Sequence, residues 1–144
     1  MSDETKQERK GFYLLHIDGS NRKGTIGALL KEPNGTAIPG AELSERIGPV
    51  TGPTMAEYRA LLRGLELARE RNVNYVAVFS DSRTLVNQVN RLSNAGDNLA
   101  KLCDEAQEAL RSFKGSQVSW VPRSWNKEAD ALASKATGSN PPGT

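Results

Sequence analysis

The sequence predicts an α/β domain with a mixed five-stranded sheet and helices on both faces. Two observations favour it. Three strand-like stretches separated by turn signals come first, and helical stretches then alternate with two further strands. The predicted strands span residues 12–18, 25–32, 37–47, 75–80 and 117–122, and the predicted helices span 54–71, 83–92, 97–112 and 125–136.

The first three strands carry the signals of an antiparallel meander. Alternating and continuous apolar residues mark the first two, and Asn34-Gly35 between the second and the third is a hairpin signal. Pro39-Gly40 inside the third strand predicts a bend or bulge near a sheet edge.

The later elements follow from a change of period. From Thr54 to Arg71 apolar residues recur every three to four positions, which is typical of a helix that packs one face. Gly64 lies on that face, and because glycine disfavours helices it predicts a close approach to the sheet. The run YVAVFS predicts a buried strand, and SNAG separates the next two helices.

Length and composition indicate one domain. The chain has 144 residues, 37% of them apolar and 25% charged, which suffices for one core. We expect the domain to cover residues 11–136, with disordered tails at 1–10 and 137–144, because both ends are polar.

Several classes of protein are excluded by residue counts. No apolar run approaches the roughly 20 residues of a membrane span, so we expect a cytoplasmic protein without membrane contact. The lone Cys103 and the lone His16 exclude an internal disulfide and a zinc cluster, and both side chains are expected to pack in the core. A dispersed net charge of +2 permits nucleic-acid binding without indicating it.

Four acids stand at the ends of predicted elements. Asp18 continues a row of alternating residues on the first strand, and Glu57 begins the apolar face of the long helix. Asp81 follows the strand YVAVFS at its carboxyl end, where open α/β sheets commonly hold their sites, and Asp130 lies on the final helix beside Asn126.

Each acid also has an ordinary structural explanation. Asp18-Gly19 fits a hairpin turn, and Asp81 before Ser82 fits a helix N-cap. Glu57 and Asp130 fit acids in the first turns of helices, where they interact favourably with the helix dipole. Four buried carboxylates that converge, however, are tolerated only with cations among them.

The motifs HIDGS, AEYRALLRGLELA, FSDS and NKEADALASKA resemble the four acidic motifs of type 1 ribonuclease H, especially its compact plant, archaeal and bacterial branch. The resemblance covers residues 11–136 and implies a mixed sheet with strand order 3-2-1-4-5. It also implies endonucleolytic cleavage of the RNA strand of RNA/DNA hybrids. The four acids Asp18, Glu57, Asp81 and Asp130 would then be catalytic and would bind two Mg²⁺ or Mn²⁺ ions, since hard cations prefer oxygen ligands.

The resemblance further implies a set of substrate contacts: Gly19, Ser20, Asn21, Thr51, Thr54, Arg83 and Arg123. Arg22 and Lys23 are expected to meet phosphates as well. The sequence departs from the family in the approach to its long helix, where Gly52-Pro53-Thr54 replaces a Thr-Asn-Asn motif that touches the minor groove. Arg83 replaces a common Gln, Ser124 and Trp125 follow Arg123 where acids are usual, and the basic insertion of some members is absent.

The expected partner is an RNA/DNA hybrid, bound by a monomer without an obligate protein partner. Two other functions remain open at this point. One is a degenerate nucleic-acid-binding module with little or no activity, and the other is a nuclease of the same fold that acts on another duplex.

Overall fold

The computed structural model describes residues 11–50, 52 and 54–138, and it confirms the predicted mixed sheet. The strands are β1 (Tyr13–Ser20), β2 (Thr25–Lys31), β3 (Ala37–Arg46), β4 (Tyr75–Ser80) and β5 (Gly115–Trp120), in the order β3-β2-β1-β4-β5. β1 is antiparallel to β2 and parallel to β4. β2 and β3 are antiparallel, and β4 and β5 are parallel.

The four helices are α1 (Met55–Glu70), α2 (Arg83–Val89), α3 (Asp97–Arg111) and α4 (Lys127–Gly138). A short 3₁₀ helix, Arg123–Trp125, precedes α4. The tails expected at residues 1–10 and 139–144 lie outside the described residues, as do Thr51 and Pro53. Of the helices that are described, none is both long enough and apolar enough to cross a membrane.

The hairpin and the bulge predicted for β2 and β3 are present. At the hairpin Gly35 has a φ of 90°, and the Asn34 Oδ1 accepts the Thr36 N–H at 2.9 Å. The pairing of β2 with β3 shifts register between Leu29 and Lys31, opposite the stretch that contains Gly40 with a φ of 77°. The irregularity falls on the edge strand, where it breaks up an exposed row of backbone donors and acceptors.

The main core lies between one face of the sheet and α1, α2 and α3. Leu15 and Ile17 of β1 point into it, beneath Gly64 of α1. A Cβ at Gly64 would lie 3.1 Å from the Leu15 Cδ2, which confirms that the helix approaches the sheet closely there. Cys103 is buried in the same core, as expected.

Helix α4 covers the opposite face, so the helices do lie on both faces of the sheet. It forms a smaller cluster with Leu29, and the Ser44 hydroxyl donates to the Leu132 carbonyl oxygen. A Cβ at Gly27 would lie 2.6 Å from the Ala129 carbonyl oxygen, so only glycine permits this contact. Since Gly27 pairs with Asp18, the close packing brings α4 beside that acid.

Three element boundaries differ from the expectation. Helix α2 ends at Val89 and not at residue 92, because Arg91 takes a left-handed φ of 65° and the Leu92 N–H turns back to the Asn87 carbonyl oxygen at 2.7 Å. This arrangement is a common helix end. β5 begins at Gly115, because that residue already pairs with Tyr75 of β4. α4 begins at residue 127, after the 3₁₀ turn, and extends to Gly138.

Candidate active site

Asp18 lies inside β1 and is not the corner of a turn. It pairs with Gly27 of β2, and the chain reverses only beyond it, where the Gly24 N–H donates to the Ser20 carbonyl oxygen at 2.8 Å. Because side chains alternate along a strand, Asp18 and Gly19 face opposite sides of the sheet. Asp18 faces α4, whereas a Cβ at Gly19 would lie 2.6 Å from the Ala56 carbonyl carbon of α1.

All four predicted acids line one open cleft at the carboxyl ends of β1 and β4. The cleft has a volume of about 460 Å³, and its lining residues are Asp18, Gly19, Ser20, Arg22, Lys23, Thr25, Glu57, Asp81, Ser82, Arg123, Asp130, Ala133 and Ser134. The acids come from four separate parts of the chain, so the fold alone brings them together.

The structure also resolves the alternative for Asp81. The N-cap of α2 is Ser82, whose hydroxyl oxygen accepts the Leu85 N–H at 3.2 Å. The Asp81 carboxylate therefore does not cap that helix and lines the cleft instead. Glu57 does lie in the first turn of α1, but it faces the same cleft as the other three acids.

The acids oppose one another's ionisation. Burial raises the pKa of Asp18 to about 8, together with the negative charges of Asp81, Asp130 and Glu57. The protonated Asp18 carboxyl donates a hydrogen bond to Asp130, which raises the pKa further. Burial likewise raises the pKa of Glu57 and that of Asp81. At neutral pH the cleft therefore favours retention of a proton or binding of a cation.

Asn126 is a site residue to which the sequence assigned no role. It is 1% exposed, and its Nδ2 donates to the Ile17 carbonyl oxygen at 2.8 Å. A hydrogen bond from Asn126 also lowers the pKa of Asp81, as does the charge of Arg123. Its Oδ1 is buried without a hydrogen-bond partner. The sequence signal was its place on the same helical face as Asp130.

Carboxylate oxygens and open space suit a hard divalent cation that retains water. In the described part of the chain, no three His, Cys, Asp or Glu side chains form a compact group able to hold a metal ion. Mg²⁺ often takes only one or two protein carboxylates and completes its shell with waters and substrate phosphates. The donor set fits that kind of site and does not fit a closed structural metal site.

The predicted substrate contacts separate into two groups. Gly19, Ser20 and Arg123 line the cleft, together with Arg22 and Lys23.

Asn21, Thr54 and Arg83 do not line the cleft. Asn21 bonds to α1, and Thr54 is buried at the start of that helix. The Arg83 guanidinium lies over the Trp120 ring, 3.9 Å from its centroid, and the Trp120 indole N–H donates to the Asp81 carbonyl oxygen at 3.2 Å.

His16 is half-buried on the strand face that carries Asp18. Its ring stacks on Phe79 with centroids 5.1 Å apart. Burial lowers the pKa of His16, and the charge of Lys31 lowers it further. The imidazole is therefore neutral at pH 7 and has a packing role, as the sequence predicts.

Comparisons with known proteins agree with this geometry. Residues 16–136 match the family described as reverse transcriptase-like. Ribonuclease HI of Halobacterium salinarum is 30% identical over 134 residues, which cover 90% of this chain and 66% of that protein. The bifunctional protein Rv2228c of Mycobacterium tuberculosis is 37% identical over 97 residues, or 67% of this chain. The match spans only 26% of the length of that protein and of the other mycobacterial relatives.

Solved structures show the same fold. RNase H1 from Halobacterium salinarum superposes with a TM-score of 0.83 at 29% identity, covering 90% of this chain and all of that one (100%). The N-terminal RNase H domain of Rv2228c gives a TM-score of 0.81 at 30% identity, covering 90% of this chain and 95% of that one. LC11-RNase H1 in complex with an RNA/DNA hybrid shares the fold at 24% identity, with a TM-score of 0.79 and coverage of 88% and 96%. The motifs, the strand order and these relatives together show that the chain belongs to the type 1 ribonuclease H family, within the reverse transcriptase-like group.

Proposed function

We propose that this chain is a metal-dependent endonuclease that hydrolyses the RNA strand of RNA/DNA hybrids. The observation that carries the proposal is the cleft itself. Four carboxylates from four elements meet in it, and three cationic side chains, Arg22, Lys23 and Arg123, line it with them. The Halobacterium relative, which is named a ribonuclease HI, supports the same reaction.

In this proposal Asp18, Glu57, Asp81 and Asp130 hold two Mg²⁺ or Mn²⁺ ions. When bound, the ions supply Lewis-acid activation of the attacking water and stabilisation of the leaving 3′ oxygen. The raised pKa values of Asp18, Glu57 and Asp81 support this role, because cations relieve the repulsion that burial and crowding create. No protein nucleophile is needed.

The cations that line the cleft serve the substrate. Arg22 and Lys23 follow β1 and Arg123 precedes α4, so they approach the acids from two sides. Guanidinium and ammonium groups bind phosphate oxygens without reading bases, so these contacts seat the duplex and do not select a sequence. Arg123 also favours the ionised form of Asp81, because its positive charge lowers the pKa of that carboxyl.

A monomer in the cytoplasm completes the proposal. The described part of the chain buries its own apolar residues in two clusters, and the only cysteine of the sequence, Cys103, is a buried free thiol. A reduced, unpaired cysteine suits a reducing compartment.

The test is cleavage of end-labelled RNA/DNA hybrid, double-stranded RNA and double-stranded DNA with Mg²⁺ or Mn²⁺. We expect internal cuts in the RNA of the hybrid alone. Asp81→Asn should abolish them, whereas Asp104→Asn, an exposed acid on α3, should leave the rate unchanged.

Three outcomes would contradict the proposal. Hybrid binding without cleavage would indicate a degenerate binding module. Equal cutting of all three duplexes would indicate a nuclease of broader substrate choice. Full activity of the Asp81→Asn protein would remove the acids from the mechanism.

A further inference from the structure

Asn21 joins the end of β1 to the start of α1 through both ends of its side-chain amide. Its Oδ1 accepts the Ala56 N–H at 2.7 Å, and its Nδ2 donates to the Glu57 Oε1 at 3.0 Å. Asn21 follows Asp18 by three residues, so the bonds connect the segments that carry two of the four acids.

Helix α1 lacks a cap of its own. Thr54 occupies the N-cap position with a φ of 76°, and its side chain makes no capping hydrogen bond. The first N–H groups of a helix have no partners within the helix. Asn21 satisfies one of them from outside, at Ala56, the second residue of α1. Glu57 is the third residue, where a capping box places its acid.

The approach of the two segments is close enough to make this arrangement specific. Gly19 allows the backbone of β1 to lie against α1, because any Cβ there would lie 2.6 Å from the Ala56 carbonyl oxygen. Asn21 then extends from the turn that follows, and its amide reaches Ala56 and Glu57 together.

We propose that Asn21 is a positioning residue, which caps α1 and holds the Glu57 carboxylate on the cleft through one side-chain amide. The catalytic consequence rests on the proposed function, whereas the positioning itself does not. The family resemblance implied a substrate contact for Asn21. Its oxygen and nitrogen are instead bonded within the protein, and a direct contact with RNA would compete with both bonds.

Two substitutions separate capping from positioning. Asn21→Ala removes both bonds, whereas Asn21→Asp keeps an acceptor for the Ala56 N–H and loses the donor to Glu57. We expect Asn21→Ala to lower both Tm and kcat, and Asn21→Asp to keep Tm near that of the wild type while kcat falls. Groups that orient metal ligands commonly affect activity or metal affinity by about 10- to 100-fold, and we expect kcat losses in that range.

Two further measurements distinguish positioning from substrate contact. The rise in Tm that saturating Mn²⁺ produces, followed by calorimetry, should be smaller for Asn21→Ala than for the wild type. The affinity for hybrid without divalent metal, measured by gel shift, should change less than about twofold, because Asn21 makes no contact with the duplex. Asn34→Ala is the matched control, because Asn34 also bonds a backbone N–H in a turn but lies on the hairpin after β2.

The inference is overturned if Asn21→Ala weakens metal-free hybrid binding while the Mn²⁺ response and kcat stay at wild-type values. It is also overturned if a crystal structure of metal-free Asn21→Ala shows the Glu57 carboxylate unmoved, and a shift of about 1 Å supports it. That structure decides the inference even if the wild type neither cleaves hybrid nor responds to metal, a result that would overturn the proposed function alone.

Discussion

Asp18 is the residue whose state depends most on the cleft around it. Its pKa of about 8 in the folded protein exceeds the ordinary value of 3.8, so the folded state holds its proton more tightly than the unfolded state. Between those two values stability therefore falls as pH rises, and the part that the bound proton contributes is lost by about pH 8. A bound cation would reverse this dependence by replacing the proton.

We therefore predict that Asp18→Asn abolishes hybrid cleavage and stabilises the metal-free protein at pH 8. After allowance for solvent screening, the gain should be on the order of 1–3 kcal/mol. Urea unfolding at pH 5 and pH 8 checks it, since the gain should shrink at the lower pH. A variant less stable than the wild type at pH 8 would show that crowding of the acids costs the fold nothing.

His16 lies on the same strand face but is expected to act through packing. His16→Ala should cost about 1–2 kcal/mol by loss of its stack on Phe79, with kcat changed less than about threefold. Because burial lowers its pKa, the folded state favours the neutral ring, and this contribution to stability is lost as pH falls below about 6.5. The pH–rate profile should show no step from His16 near that value. A large loss of turnover in a folded His16→Ala protein would contradict this role.

At the scale of the elements, Gly27 decides where α4 lies. Gly27→Ala places a Cβ 2.6 Å from two backbone atoms, the Ala129 carbonyl oxygen and the Ala133 nitrogen, so the helix must move and carry Asp130 with it. We predict a loss of about 2 kcal/mol or more in stability, with a marked loss of activity. Gly64→Ala is the matched control, because its new Cβ meets only side-chain methyl groups, and it should retain activity. Calorimetry and the cleavage assay on both proteins provide the comparison.

The start of α1 stores strain that one substitution can remove. Thr54 is β-branched and has a φ of 76°, a region that suits asparagine and glycine far better. We predict that Thr54→Asn stabilises the protein by roughly 0.5–1 kcal/mol without changing the metal response. A lower Tm for Thr54→Asn would mean that burial of the threonine methyl group outweighs the strain.

Periodicity and turn chemistry predict most of these elements, because each depends on neighbours in the sequence. The hairpin at Asn34-Gly35, the close contact of Gly64 and the position of Asp81 after β4 all follow from such local rules. The left-handed conformations of Thr54 and Arg91 do not, since neither residue type favours them.

The candidate site shows the same limit. The four acids could be found from their places at element ends, and the cleft brings all four together. The bonds of Asn21 to α1 and of Asn126 to Ile17 could not, because they join segments 35 and 109 residues apart. No local pattern encodes contacts of that kind.

At the scale of the whole molecule, electrostatics should govern substrate affinity. The net charge is only +2, and the cations of the cleft stand next to four acids. We predict modest hybrid affinity that falls steeply between roughly 50 and 200 mM salt, because phosphate contacts release counterions. Replacing both Arg22 and Lys23 by alanine should flatten that slope by about two contacts. Gel shifts at several salt concentrations measure it, and tight binding that is insensitive to salt would contradict the prediction.

The placement of the two tryptophans has an optical consequence. The sequence holds no others, and both lie beside the cleft, with Trp120 37% exposed under Arg83 and Trp125 71% exposed in the 3₁₀ turn. Their fluorescence therefore reports on the neighbourhood of Asp81 and Arg123 and not on the core, which contains none. Emission of the folded protein should already be shifted to the red by Trp125, so it will follow global unfolding poorly. The same emission should change when a duplex occupies the cleft, so the native chain carries its own binding signal without an attached dye.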